Sequence, residues 1–144
     1  MLDHDTIPAH GGELIDLLVT DQEAEALAEE AAHLPKLRVS RRELADLEML
    51  AVGALSPLRG FQREEEYRSI LESMHLPGGL PWTIPVTLSL GDEELKRIGR
   101  AEAIALQGPT GEHALAILQV EEVYKRDRET EAVELLGART GAVD

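Results

Sequence analysis

The spacing of apolar residues changes character at Pro77-Gly78-Gly79-Leu80-Pro81, and this break restricts the chain to folds that segregate helices from strands. Before the break, apolar side chains recur at helical intervals. Asp21–Leu34 reads as a helix rich in Ala, Glu and Leu, with Asp21 as its amino-terminal cap and Pro35 as its stop. Lys36–Val39 is a short strand. Ser40 with Glu43 then forms a capping box for a helix that buries Leu44, Leu47, Leu50 and Ala51 and stops at Gly53. Glu64–Met74 is a further amphipathic helix burying Tyr67, Ile70, Leu71 and Met74. After the break, Trp82, Ile84, Val86, Leu88 and Leu90 alternate as on a strand, with Pro85 marking an edge or a bulge. Gly91–Arg97 is a turn with a short helical piece. Ala101–Gln107 and Ala114–Tyr124 form a hairpin across Gly108-Pro109-Thr110-Gly111, and Asp127 caps a last helix through Leu136, closed by Gly137. Glu13–Val19 is apolar and extended. The expected class is α+β, a strongly curved sheet or small β-barrel with helices packed outside, helices mainly in the first half and strands in the second.

A length of 144 residues suits a single domain over 1–144. Phe61, Trp82, Tyr67 and Tyr124 are the only aromatic residues, so the core has to be aliphatic. With 28 acidic against 14 basic side chains the net charge is −14, and a phosphate chain would meet a repulsive field; a nucleic-acid partner is disfavoured. The absence of cysteine excludes disulfides, thiolate catalysis and Cys-based metal centres, and fits a cytoplasmic location. Met1-Leu2-Asp3-His4-Asp5 has neither the positive lead nor the apolar run of a signal peptide. No apolar run approaches the roughly 18 residues of a membrane span, so a soluble protein is expected.

Catalytic signatures are sparse. The histidines His4, His10, His33, His75 and His113 include no pair at helical clamp spacing. Asp3-His4-Asp5 with His10 could assemble a metal site or be a solvated acidic terminus. Ser56 lies in a Pro- and Leu-rich loop with no Gly-x-Ser-x-Gly elbow, and Ser40 is accounted for as a helix cap. No phosphate-binding loop of the Gly-x-x-x-x-Gly-Lys type is present. Glu64-Glu65-Glu66 complements the dipole of a helix start. Arg41, Arg42, Arg59 and Arg63 are the compact basic features of the first half, readable as anion ligands or as surface arginines flanking helices.

Three loops carry more specific patterns. Pro8-Ala9-His10-Gly11-Gly12-Glu13-Leu14 resembles the opening Pro-His-Gly-Gly segment of ATP sulfurylase (sulfate adenylyltransferase), with Ala9 inserted. Asp46-Leu47-Glu48 followed by Gly53-Ala54-Leu55-Ser56-Pro57-Leu58-Arg59-Gly60-Phe61 resembles that family's Asp-Leu-Glu and Gly-Ala-Phe-Ser-Pro-Leu-x-Gly-Phe segment, with Leu55 where Phe is usual. Trp82-Thr83-Ile84-Pro85-Val86-Thr87-Leu88 is similar to its Trp-x-Ile-Pro-Ile-Thr-Leu strand, and Tyr124, Asp127, Glu131 and Ala132 to the pattern that closes its amino-terminal domain. The resemblance spans about residues 8–137 and implies a PUA-like β-barrel with helices outside.

The resemblance also implies where chemistry resides. In this family a Gln-x-Arg-Asn-Pro segment and a His-x-x-His segment of the following domain bind nucleotide and sulfate. This chain contains no asparagine and no His-x-x-His, and Gly137-Ala138-Arg139-Thr140-Gly141 departs from the family's usual junction. The implied role is a non-catalytic amino-terminal domain, with the catalytic domain absent. It has no cofactor of its own, MgATP serving the complete enzyme. The implied partners are the catalytic domain, in cis or in trans, and further copies in a homo-oligomer. No catalytic or metal-binding residue is assigned. Pro8, His10, Gly11, Gly12, Ser56, Pro57, Leu58, Arg59, Gly60 and Phe61 are the candidate interdomain or interface residues. For Leu58 and Phe61, plugging this domain's own core stands equally open. The alternatives are a stand-alone PUA-like module binding RNA or protein, and a small metal-dependent enzyme using His4 and His10.

Overall fold

Thr20, rather than Asp21, opens the first helix. Its hydroxyl accepts from the Glu23 amide at 3.3 Å while Glu23 accepts from the Thr20 amide at 2.9 Å, a reciprocal capping box. Asp21 is instead the first helical residue, where its charge suits the helix dipole. The computed structural model describes residues 7–111 and 113–136. In chain order it contains α1 (Asp21–His33), β1 (Lys36–Arg38), α2 (Arg41–Ala51), α3 (Glu64–Ser73), α4 (Asp92–Ile98), β2 (Ala103–Gln107), β3 (Ala114–Gln119) and α5 (Arg128–Leu136). The α+β class and the early helices follow the sequence expectation. Gly137 lies outside the described residues.

The strands are ordered β1-β2-β3. β1 pairs in parallel with β2, Leu37 opposite Leu106. The hairpin bond from the Gly111 amide to the Gly108 carbonyl and the bond from Val120 to Glu102 require β2 and β3 to run antiparallel. The described residues thus hold an open mixed sheet and not a closed barrel. The strand expected over Trp82–Leu90 carries no ladder, for a physical reason. The Trp82–Leu90 segment has Pro85, which lacks an amide hydrogen, and its Val86 gives its N–H to the Gln62 side-chain oxygen and its C=O to the Gln62 amide, each at 2.8 Å. Gln62 takes the place of a neighbouring strand. The strict alternation fails with it: Val86 and Thr87 are both buried, and Ile84 is exposed. The 13–19 segment is likewise held by side chains, the Ile15 amide donating to Ser56 Oγ and the Leu18 amide to Asp16 Oδ1.

Among the described residues, those up to Gly60 with Ala105–Ile117 form one compact unit, and Phe61–Ile104 with those from Leu118 onward form a second. The first buries Ile15, Ala31, Leu37, Val39, Leu50, Leu58, Ala105 and Leu106, an aliphatic core as composition requires. Its second helix starts on the expected Ser40–Glu43 box, and Glu43 is itself buried. That helix ends in a Schellman arrangement, Ala54 donating to Met49 at 2.9 Å and Gly53 to Leu50 at 3.3 Å, with Gly53 at φ +82. Leu50 is buried, while Leu44 and Leu47 are only half-buried.

The second unit is centred on Tyr67, fully buried on α3. Its hydroxyl accepts from the Asp127 amide at 2.9 Å and donates to the Asp127 carbonyl at 3.2 Å. Its ring packs on Tyr124 at 5.5 Å, tilted 41°. Tyr124 donates to the Gln62 carbonyl at 2.8 Å. Asp127 accepts from Thr130 at 3.0 Å and starts α5, as expected. Met74, expected on the buried face of α3, is instead the left-handed residue that ends the helix (φ 54) and is exposed.

Two expectations follow. Gly53→Ala should destabilise the chain by about 2 kcal/mol or more in urea unfolding, since a left-handed alanine is strained and its Cβ would stand 2.5 Å from the Ile15 carbonyl oxygen. Gly60→Ala, with nothing within 4 Å, should change stability by no more than about 0.5 kcal/mol. The second concerns alkaline pH. Desolvation, reinforced by Tyr67, pushes Tyr124 up from 10.0 to about 12, and desolvation raises Tyr67 as well. The unfolded chain therefore loses these protons first, so stability is full below pH 10 and falls as pH rises towards 12. Tyr124→Phe should make the fall between these pH values shallower without abolishing it, because Tyr67 remains; an unchanged slope would contradict the assignment.

Candidate functional site

Two of the loops singled out in the sequence, Pro8–Leu14 and the Gly53–Gly60 part of the second, meet in the first unit. Pro8–Gly12 closes in a turn, Gly12 donating to Ala9 at 2.8 Å, with Gly11 at φ 78 and Gly12 at φ 92. The chain then runs extended beside the end of α2. Ser56 secures it there: its hydroxyl accepts from the Ile15 amide at 2.9 Å and donates to the Gly53 carbonyl at 2.6 Å. Two residues on, Leu17 donates to Ala51 at 2.9 Å. Gly53 makes the approach feasible, since a methyl there would stand 2.8 Å from Leu14 Cδ1. Arg59 reaches Glu13 at 3.4 Å with both side chains well exposed, a tie of small energetic value.

The individual residues fall out as follows. Ser56 and Leu58 are buried, Pro57, Gly60 and Phe61 half-buried, and Pro8, His10, Gly11, Gly12 and Arg59 exposed. The Ser56–Pro57 bond is cis. Ser56 is occupied twice over as a backbone clamp, with no histidine among its bonded partners. Of the arginines, Arg59 is paired with Glu13, and Arg63 with Glu66 and Glu121, each at 3.4 Å. Arg41 and Arg42 are exposed beside the capped start of α2.

A cluster in the second unit was not recognised from the sequence. Arg126 meets Glu131 with bonds of 2.7 and 3.0 Å, and Glu131 is only 8% exposed. The Glu131 carboxylate raises the Arg126 pKa, chiefly by its hydrogen bond. Together with Tyr67, Tyr124 and Asp127 this forms a mutually satisfied set suited to holding α5 on α3. Among the described residues, Gln62 Nε2 and Thr87 Oγ1 are buried polar atoms without a hydrogen-bond partner. The signal lies in Tyr124, Asp127 and Glu131, whose spacing along the chain does not by itself reveal that they gather at Tyr67.

Concavity adds little. An open hollow of about 410 Å³ beside α4 is lined by Glu93, Glu94, Lys96 and Arg97, and Lys96 is already paired with Glu93 at 3.0 Å. Among the described residues no group of three or more His, Asp or Glu side chains is placed to hold a metal ion; Asp3, His4 and Asp5 lie outside them, and His10 and His113 are exposed. Among the same residues no helix is long and apolar enough to cross a membrane.

Residues 7–142 match the family model described as a PUA-like domain. The sulfate adenylyltransferase of Trichodesmium erythraeum is 41% identical over 88% of this chain and 32% of its own length. That of Symbiobacterium thermophilum is 42% identical over 91% of this chain and 33% of its own. Among solved structures, the hexameric APS kinase from Thiobacillus denitrificans superposes with a TM-score of 0.73 at 35% identity, over 84% of this chain and 24% of that one. The chain thus spans about a third of the length of the curated relatives it matches. On the strength of a match covering all of its described residues, the chain belongs to the PUA-like domain family.

Proposed function

We propose that this chain serves as the amino-terminal, non-catalytic PUA-like domain of a sulfate adenylyltransferase, an enzyme that joins ATP and sulfate into adenosine 5′-phosphosulfate and pyrophosphate. One observation carries the reading: identity of 41–42% to sulfate adenylyltransferases extends over about nine-tenths of this chain but a third of theirs. The remaining two-thirds of such a polypeptide then has to supply the nucleotide and sulfate ligands. The local chemistry supports a bracing role. Ser56, Tyr67 and Tyr124 spend their polar groups on backbone ties, Asp127 on the amide and hydroxyl of Thr130, and Arg126 with Glu131 on each other.

On this reading the whole chain acts as one PUA-like scaffold, with MgATP bound by the complete cytoplasmic enzyme. The Pro8–Gly12 and Ser56–Phe61 loops, Pro8, His10, Arg59 and Gly60 among their exposed or half-exposed residues, face the catalytic region. The match to a protein described as a hexameric APS kinase supports an oligomeric setting for the parent enzyme.

The test is enzymatic. Purified chain with ATP, magnesium and sulfate should release no pyrophosphate above the protein-free blank. Turnover proportional to its concentration would overturn the non-catalytic assignment.

A further inference from the structure

The first unit displays an apolar strip that its own core does not use. Ile15 is buried at 4%, yet its neighbours Leu14, Leu17 and Leu18 are 65, 40 and 64% exposed. On α2 and its cap, Met49 and Val52 are 38 and 56% exposed. The segment borders the end of α2: Leu14 Cδ1 lies over Gly53, and the Leu17 main-chain amide donates to the Ala51 carbonyl. An extended segment with one face in a core and the other in water should carry polar residues on its wet face. Here Leu14 and Leu18, four residues apart along the segment, are both left outward. The strip is also fixed in place, by bonds at Ile15, Leu17 and Leu18. Exposed apolar side chains held on a bonded backbone, here flanking Asp16, suit a docking face.

We infer that this strip, Leu14, Leu17, Leu18, Met49 and Val52, is the seat of the remaining two-thirds of the sulfate adenylyltransferase polypeptide. The inference rests on the functional reading above and identifies a surface that reading does not name. Two arguments select this occupant. Curated relatives extend well beyond the match, which covers 32 and 33% of their lengths, so on the functional reading a large partner region joined to this domain is expected. Five half-exposed side chains offer only a few hundred Å², short of the roughly 800 Å² per partner of a standard interface between separate molecules. A covalently joined partner needs far less, because its effective concentration is already about millimolar.

The absence of cysteine makes the test clean. Leu18→Cys is placed both in the isolated chain and in a chimera where this chain replaces the matching region of the Trichodesmium erythraeum enzyme. Maleimide labelling at position 18 is followed by peptide mass spectrometry, and pyrophosphate release is measured alongside. The expected result is an active chimera that labels at least about tenfold more slowly than the isolated chain. An active chimera labelling as fast as the isolated chain overturns the inference and leaves the functional reading standing. An inactive chimera removes both. Labelling of the isolated chain that slows as its own concentration rises identifies a second copy as the occupant and also overturns the inference. As a separate check, Leu18→Lys with Val52→Lys in the isolated chain should leave Tm within a few degrees of the parent; a larger loss would assign these side chains to the chain's own core.

Discussion

The hydroxyl of Ser56 is shared between the amide of Ile15 and the carbonyl of Gly53, and the first unit depends on that sharing. A lone hydroxyl can do both because it donates once and accepts twice, and buried at 4% exposure it has no competing water. It fixes the extended 13–19 segment against the helix end, which in turn sets which side chains of that segment go inward. Gly53 is the second half of the same joint. Its positive φ turns the chain out of α2, and its missing side chain leaves room for Leu14 and the Ile15 carbonyl. One serine and one glycine three positions apart thereby convert a helix stop into an anchor.

The second unit solves a similar problem with phenols and an amide. Tyr67 closes both backbone groups of Asp127, and Gln62 closes both backbone groups of Val86 while its own carbonyl receives Tyr124. Each device satisfies main-chain groups that a longer strand ladder would otherwise engage. The small open sheet and the frequent side-chain-to-backbone ties are thus two aspects of one arrangement.

Much of this was legible in the sequence where a local rule decides the outcome. Ser40 with Glu43, Gly53 as a helix stop, the hairpin around Gly108–Gly111 and Asp127 ahead of the last helix are short-range devices, and each formed as expected. The failures were of range. Alternation from Trp82 to Leu90 is a sound strand signal, but Gln62, more than twenty residues earlier, intercepts the Val86 bonds. Thr20 displaced Asp21 as a cap because the capping pair, Thr20 with Glu23, lies one residue earlier in register. In the candidate site, the glycines and Ser56 could be picked out by type and pattern. Whether Leu58 turned inward, and whether Leu14 and Leu18 turned outward, depends on the Ser56 clamp, which links residues 41 apart.

The central claim is that this chain gives structure to an enzyme whose reacting groups are carried elsewhere. Calorimetric titration of the isolated chain with adenosine 5′-phosphosulfate, and separately with MgATP, tests it most directly. The account requires no saturable heat at millimolar ligand. A stoichiometric one-site isotherm for either ligand, retained at physiological salt, would contradict it.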